Sequence, residues 1–247
     1  MAFQTVFKRY EVKFMLTLEQ KQLLLPEIEK YMCLDRYGRT LIKNLYLDTP
    51  SYRLARRSIE KPDYKEKLRI RTYGESNADS TVFVELKKKY KGVVYKRRIP
   101  MTEPQAADWL WGGKPLTSQS QIAAEIDYFA KYYGPLHPVA FLCYEREAYY
   151  ARDGSDFRIT FDDNILCRQQ ALFLQSEACG TPILPEGRVL MELKCSGGIP
   201  LWMTRLLSRE HIYKTAFSKY GTAYQTLIFS HRKETFTNVR QILPGTF

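Results

Sequence analysis

The segment Lys65-Glu66-Lys67-Leu68-Arg69-Ile70-Arg71 restricts the fold more than any other. Successive side chains of a β-strand point to opposite faces, so Lys65, Lys67, Arg69 and Arg71 share one face, with Leu68 and Ile70 on the other. A helix would scatter these cations around its circumference. The same period recurs along the chain. Arg9-Tyr10-Glu11-Val12-Lys13-Phe14 alternates charged with apolar residues. Val82 to Lys87 sets Glu85 and Lys87 against Val84 and Leu86, and Gly92 marks a turn into Val94 to Ile99, where Lys96 and Arg98 share a face. Phe141 to Tyr149 carries Tyr144 and Arg146 together. Phe157 to Asp162 groups Arg158, Thr160 and Asp162, and Val189 to Lys194 groups Glu192 and Lys194.

Leu41 to Asp48 is a further strand, ending at Thr49-Pro50. Between the strands lie helices. Thr17-Leu18-Glu19-Gln20 is a capping box for a helix toward Tyr31, with Pro26 expected to restart or kink it. Thr102 caps a helix that stops at Gly112-Gly113. Ile122, Ile126 and Phe129 form one side of another that ends at Gly134. Pro200 starts a last helix, and the segment Lys214 to Gly221 closes the core. Beyond Gly221 the pattern specifies no element.

Roughly eight strands are enough to close a barrel, whose inward positions here are charged. Unpaired buried charges are costly, so such a lumen needs water, counter-ions or a polyanionic ligand. The expected fold is therefore α+β, an eight-stranded antiparallel tunnel barrel with helices packed outside. The alternation alone also suits an open antiparallel sheet with one wet face. No long linker, repeat or low-complexity stretch divides the 247 residues, so residues 1–247 are expected to form a single domain.

The charge narrows the function. The net charge is +11, and Lys61 to Arg98 holds 12 Lys or Arg against five Asp or Glu, which points to an anionic partner. No apolar run approaches about 18 residues, so no membrane span is expected, although association with a membrane surface or a membrane protein stays open. The five cysteines are scattered and form no C-x-x-C pair, which excludes a disulfide framework or zinc site and leads to an expected cytoplasmic location. The three histidines lack H-E-x-x-H spacing. Most of the 18 tyrosines are expected on apolar faces, and no RNA-binding motif appears, so no specific nucleic acid is expected.

Taken in order, these segments resemble the triphosphate tunnel metalloenzyme (CYTH-like) superfamily, and within it the VTC-type polyphosphate polymerase domains. The resemblance rests on Arg9 to Phe14, Tyr46-Leu47-Asp48-Thr49, Lys67 to Arg71, Val84 to Lys87 and Tyr95-Lys96-Arg97-Arg98. It continues through Tyr144-Glu145-Arg146, Arg158 to Asp162, Glu192-Leu193-Lys194 and Ser218-Lys219-Tyr220, from about residue 7 to 225. It implies a tunnel that binds ATP through Lys and Arg, a divalent metal, Mn²⁺ or Mg²⁺, held by glutamate, and transfer of the terminal phosphoryl group to inorganic polyphosphate. Hydrolase and cyclase branches usually open with Glu-x-Glu-x-Lys. Here Arg9 replaces the first glutamate, which favours the polymerase branch and counts against a two-metal hydrolytic site.

On this resemblance Lys13, Arg69, Arg71 and Lys219 are the catalytic candidates. Lys67, Lys87, Lys96, Arg98, Arg146, Arg158 and Lys194 are the substrate-binding ones, since arginine forks and lysine ammonium groups suit phosphate oxygens. Glu192 is the first choice as metal ligand. Glu11 and Glu85 are further candidates, with pairing to tunnel cations as their alternative role, and Asp162 ranks below them. A tripolyphosphatase or nucleoside triphosphatase of the same fold is the nearest rival function. A non-catalytic module for RNA or polyphosphate is the rival of another class, and the inward glutamates count against it because they would repel phosphate without a metal. Cys195 is expected to pack under a helix, His211 to sit at a helix end, and Trp109 and Trp111 to pack a helix outside the barrel.

Overall fold

The structure, a computed structural model, describes residues 6–116 and 120–229. The first half runs β1 (Val6–Thr17), α1 (Leu18–Tyr31), β2 (Met32–Leu34), β3 (Thr40–Asp48), α2 (Arg53–Ile59), β4 (Tyr64–Tyr73), β5 (Thr81–Tyr90) and β6 (Val93–Thr102). Helices α3 (Glu103–Leu110) and α4 (Gln121–Tyr133) follow, then β7 (His137–Ala151), β8 (Arg158–Arg168), β9 (Thr181–Pro182) and β10 (Arg188–Cys195). Helix α5 (Leu201–Arg209) precedes α6 (Lys219–Ala223), which continues as a π-helical turn, Tyr224–Ile228.

The ladder order β7-β3-β4-β5-β6-β1-β10-β8 returns to β7 through the β7–β8 pairing, so eight strands close into a barrel. Every pairing is antiparallel, and β2 and β9 add to β7 and β8 outside the ring. Closure, not an open sheet, is the outcome. The β5–β6 hairpin turns through Lys91 and Gly92 with φ of 44° and 86°, the sign needed at both positions of a type I′ turn.

Leu68 and Ile70 of β4, with Val84 and Leu86 of β5, face outward onto Ala106 and Trp109 of α3 and Ile126 and Phe129 of α4. Fully burying each such side chain is worth roughly 1.5–3 kcal/mol. The Trp109 indole donates to Asp127 at 2.6 Å, while Trp111 at the end of α3 is 36% exposed and does not share that packing. A second outer layer joins Phe14, Leu16 and Met191 to Leu24 and Ile28 of α1 and Met203 and Leu206 of α5, with Cys195 buried in it. The capping box at Thr17 and Gln20 forms, and α1 runs unbroken through Pro26 with Leu24 and Ile28 both buried. His211 follows α5 in a left-handed conformation.

Helix α2 was not apparent in the sequence. Its cap is remote: the carboxylate of Asp48, at the end of β3, accepts from the amides of Leu54 and Ala55 at 2.9 Å each. The same carboxylate accepts from the Tyr220 hydroxyl of α6 at 2.7 Å, and Tyr220 stacks on Tyr46. One fully buried carboxylate thus ties β3, α2 and α6 together. Residues 230–247, most of the segment for which the sequence specified nothing, lie outside the described residues.

Replacing Asp48 with alanine leaves two helix amides and a phenol hydroxyl buried without an acceptor. We expect a loss of about 2–4 kcal/mol in urea unfolding, and about 1 kcal/mol for Tyr220→Phe. A loss below 1 kcal/mol for Asp48→Ala would show that water replaces the carboxylate.

Candidate functional site

The inward faces of the barrel strands line one cavity of about 820 Å³. Along β4 it extends from Lys65 to Tyr73, a path of about 26 Å at about 3.3 Å per residue. Lys13, Lys67, Arg69, Arg71, Lys87, Lys96 and Arg98 all line it, as do Arg146, Arg158, Lys194 and Lys219. Among the candidate carboxylates, Glu11 and Glu192 face the cavity. Arg9 does too.

Cross-strand register explains the convergence. Arg69 lies opposite Glu85, which lies opposite Arg98 on the next strand. Lys13 lies opposite Glu192 and Glu11 opposite Lys194, so Glu11 and Glu192 are diagonal neighbours on the same face. Lys88, of opposite parity to Lys87, points outside to Glu66 at 3.8 Å.

Like charges at this density require buried counter-ions. Glu85 is completely buried behind the wall of cations. It accepts from Arg69 at 2.7 and 2.9 Å and from Lys96 at 3.3 Å, with Arg71 at 4.0 Å. Burial alone would raise its carboxyl, but Lys96, Arg69 and Arg71 outweigh burial and hold it well below the usual carboxylate range. Its geometry is that of a counter-ion and not of a group open to a metal. Asp162, equally buried, receives a bidentate Arg146 at 2.6 and 2.7 Å and Lys219 at 2.5 Å. Against the effect of burial, those two cations hold its carboxyl down at about 2.

Glu192 is surrounded by Lys194 at 3.0 Å, Lys219 at 3.2 Å, Lys13 at 3.3 Å and Arg146 at 3.9 Å. Burial opposes its ionisation, yet this ring of cations keeps it well below the usual range. Glu11 pairs with Lys87 at 2.7 Å, and despite burial its carboxyl is held at about 2. Lys67 differs from its neighbours. It donates to the Ser218 hydroxyl at 2.8 Å, and among the described residues no carboxylate pairs with it. Burial and the adjacent Lys13 and Lys87 push its ammonium well below the ordinary lysine range.

Tyrosines form a part of the lining, of which the charge alternation groups only Tyr144 with a tunnel cation. Tyr46, Tyr73, Tyr144 and Tyr220 all face the cavity. The Tyr144 hydroxyl accepts from Arg71 at 2.8 Å, and Lys219 and Arg146 lie 4.7 and 5.2 Å from its ring centre. Although burial would raise it, Arg146, Arg71 and Lys219 bring the Tyr144 phenol down to about 8. The Tyr46 hydroxyl accepts from Arg69 at 3.1 Å. Strand parity places Tyr144 with Arg146, and that signal was available. Tyr220 was not readable, because it enters the barrel from α6.

Among the described residues no group of three or more His, Cys, Asp or Glu is placed to hold a metal. Glu11 and Glu192 nevertheless fit the binding mode of Mg²⁺ or Mn²⁺ in which one or two carboxylates act together with substrate phosphate oxygens.

Two measurements check this site. Lys87→Ala removes a cavity cation and is expected to weaken binding of metal-free tripolyphosphate about tenfold in calorimetry, whereas Lys88→Ala leaves it within twofold. Equal losses would contradict the strand phase. The second concerns pH. Burial, outweighing Glu85, lowers the Lys96 ammonium to about 7. Its folded value therefore lies below its unfolded one, so the ligand-free protein gains stability as pH rises from about 7 toward 10. A polyanion favours the charged ammonium, so tripolyphosphate affinity should fall over pH 7–9 with proton uptake on binding. Calorimetry in two buffers of different ionisation enthalpy reads that uptake, and its absence at pH 8 would refute the assignment.

The fold has solved counterparts. A candidate adenylate cyclase from Bacillus halodurans superposes with a TM-score of 0.53 at 15% identity, covering 87% of this chain and 96% of that one. A candidate adenylyl cyclase from Hippeastrum, described as having a dominant triphosphatase activity, gives 0.51 at 17% identity, covering 88% and 95%. At these identities the likeness establishes the tunnel fold alone. No curated protein sequence matches the chain significantly. The sequence pattern of the VTC domain matches residues 8–228. That match spans nearly every strand and helix that builds the cationic tunnel, and the chain belongs to the VTC domain family.

Proposed function

We propose that this tunnel is a metal-dependent polyphosphate polymerase that transfers the terminal phosphoryl group of ATP to a growing inorganic polyphosphate chain. Membership of the VTC domain family supports the reaction class. The observation that carries the choice of acceptor is the state of the inner carboxylates. Water becomes a good nucleophile by giving up a proton to a base. Glu11 is engaged by Lys87 at 2.7 Å and Glu192 by Lys194 at 3.0 Å, so neither carboxylate is free to take a proton from water. A polyphosphate terminus is already an oxyanion and needs no base.

In the proposed reaction an oxygen of the acceptor's terminal phosphate forms a bond to the γ-phosphorus of ATP. The bond from that phosphorus to the bridging oxygen breaks, and ADP leaves with the electron pair. The protein's part is positioning and charge neutralisation. Lys67, Arg69, Arg71 and Lys96 are candidates to hold the donor phosphates, with Lys13, Lys194 and Lys219 beside Glu192. Arg9 faces the cavity, where the charges of Glu11, Arg158, Asp156 and Arg146 all reach it. An anionic acceptor there gains occupancy over water. Glu192 and Glu11 would hold Mn²⁺ or Mg²⁺, which supplies further neutralisation of phosphate charge when bound.

The test is incubation with ATP and Mn²⁺, with and without short polyphosphate primer, following both polymer and orthophosphate. A ladder that lengthens with time and is removed by an exopolyphosphatase is the expected result, lost in a folded Glu192→Gln variant. Stoichiometric orthophosphate without polymer at any primer concentration would instead assign a triphosphatase.

A further inference from the structure

The tunnel lining is chemically uneven, and one end carries aromatic side chains with no part in the phosphate chemistry described above. Of its four tyrosines, Tyr46, Tyr144 and Tyr220 are buried at 4%, 2% and 1% exposure, whereas Tyr73 is 41% exposed. Tyr73 ends β4 on the same face as Arg71 and Arg69, and Gly74 then turns the backbone away with a φ of 72°. The ring is therefore left at the rim. Its position is fixed by an edge contact with buried Phe83, at 5.9 Å between centres and 75° between planes. The Arg71 guanidinium lies 5.9 Å from the Tyr73 centre, and that of Arg98 lies 4.6 Å from the Phe83 centre. At the other end of β4 the inward residue is Lys65, near Lys89 across the ladder.

We infer that Tyr73, braced by Phe83, is the platform on which the base of a nucleoside triphosphate stacks at one end of the tunnel. Every nucleobase has a π-face that stacks on an aromatic ring. From Tyr73 inward, Arg71 and Arg69 follow at steps of about 6.6 Å along one strand face, which sets cations beside the phosphates of a nucleotide whose base rests on the ring. Tyr73 thereby distinguishes a nucleotide from a bare polyphosphate of the same charge. This inference rests on the reading that the donor is a nucleotide.

The experiment is a comparison of two probes by calorimetry without turnover: the β,γ-imido analogue of ATP, and tripolyphosphate. Tyr73→Ala is expected to weaken the analogue about tenfold while leaving tripolyphosphate within twofold. Tyr73→Trp is expected to retain analogue binding, and Tyr128→Ala, which removes an exposed tyrosine from α4, to change neither. Tripolyphosphate affinity reports that each variant is folded. Equal loss for both probes, or an unchanged analogue affinity in Tyr73→Ala, would overturn the platform. Because no catalysis is measured, failure of polymer synthesis leaves this comparison valid, and a null result at Tyr73 leaves the polymerase assay untouched.

Discussion

Two buried carboxylates make the tunnel possible. Unit charges 4 Å apart interact by about 4 kcal/mol at the effective dielectric of a protein, so cations crowded side by side on adjacent strands would drive them apart. Glu85 neutralises the group around Arg69, Arg71 and Lys96, and Asp162 the group around Arg146 and Lys219. Both lie beneath the cavity surface with no exposure. They compensate charge without entering the cavity lining, which Lys and Arg side chains dominate.

The same pairing shapes the chemistry. In the proposed reaction, carboxylates paired with lysines would leave the acceptor to arrive already ionised. Tyr144 and Tyr46 extend the arrangement by accepting hydrogen bonds from Arg71 and Arg69, which fixes the arginines while leaving other donors for phosphate. Lys67 is half-buried among cations, donates to Ser218 and is paired with no carboxylate among the described residues.

Helix α6 joins the stability of the fold to the site. Tyr220 is held by Asp48 at the end of β3, and its neighbour Lys219 reaches both Asp162 and Glu192. Damage to the Asp48 cap is therefore felt in the tunnel as well as in α2.

The period-two charge pattern was enough to give the strands and their inward faces, because side-chain alternation in a strand is a local geometric property. It places Lys65, Lys67, Arg69 and Arg71 on one wall, with Leu68 and Ile70 on the other face. The outer helices followed from capping residues and apolar spacing for the same reason. Barrel closure was not local, since it depends on β7 meeting β8 across the ring. Nor does the alternation separate Glu85 and Asp162, sealed behind cations, from Glu11 and Glu192, which face the cavity. All four obey the same alternation, and only the packing of neighbouring strands and α6 decides which carboxylate stays open to a ligand. The tyrosines of the lining are legible only in part: Tyr144 shares the parity of Arg146, whereas Tyr220 comes from a helix distant in sequence and the exposure of Tyr73 depends on where β4 ends and the chain turns away.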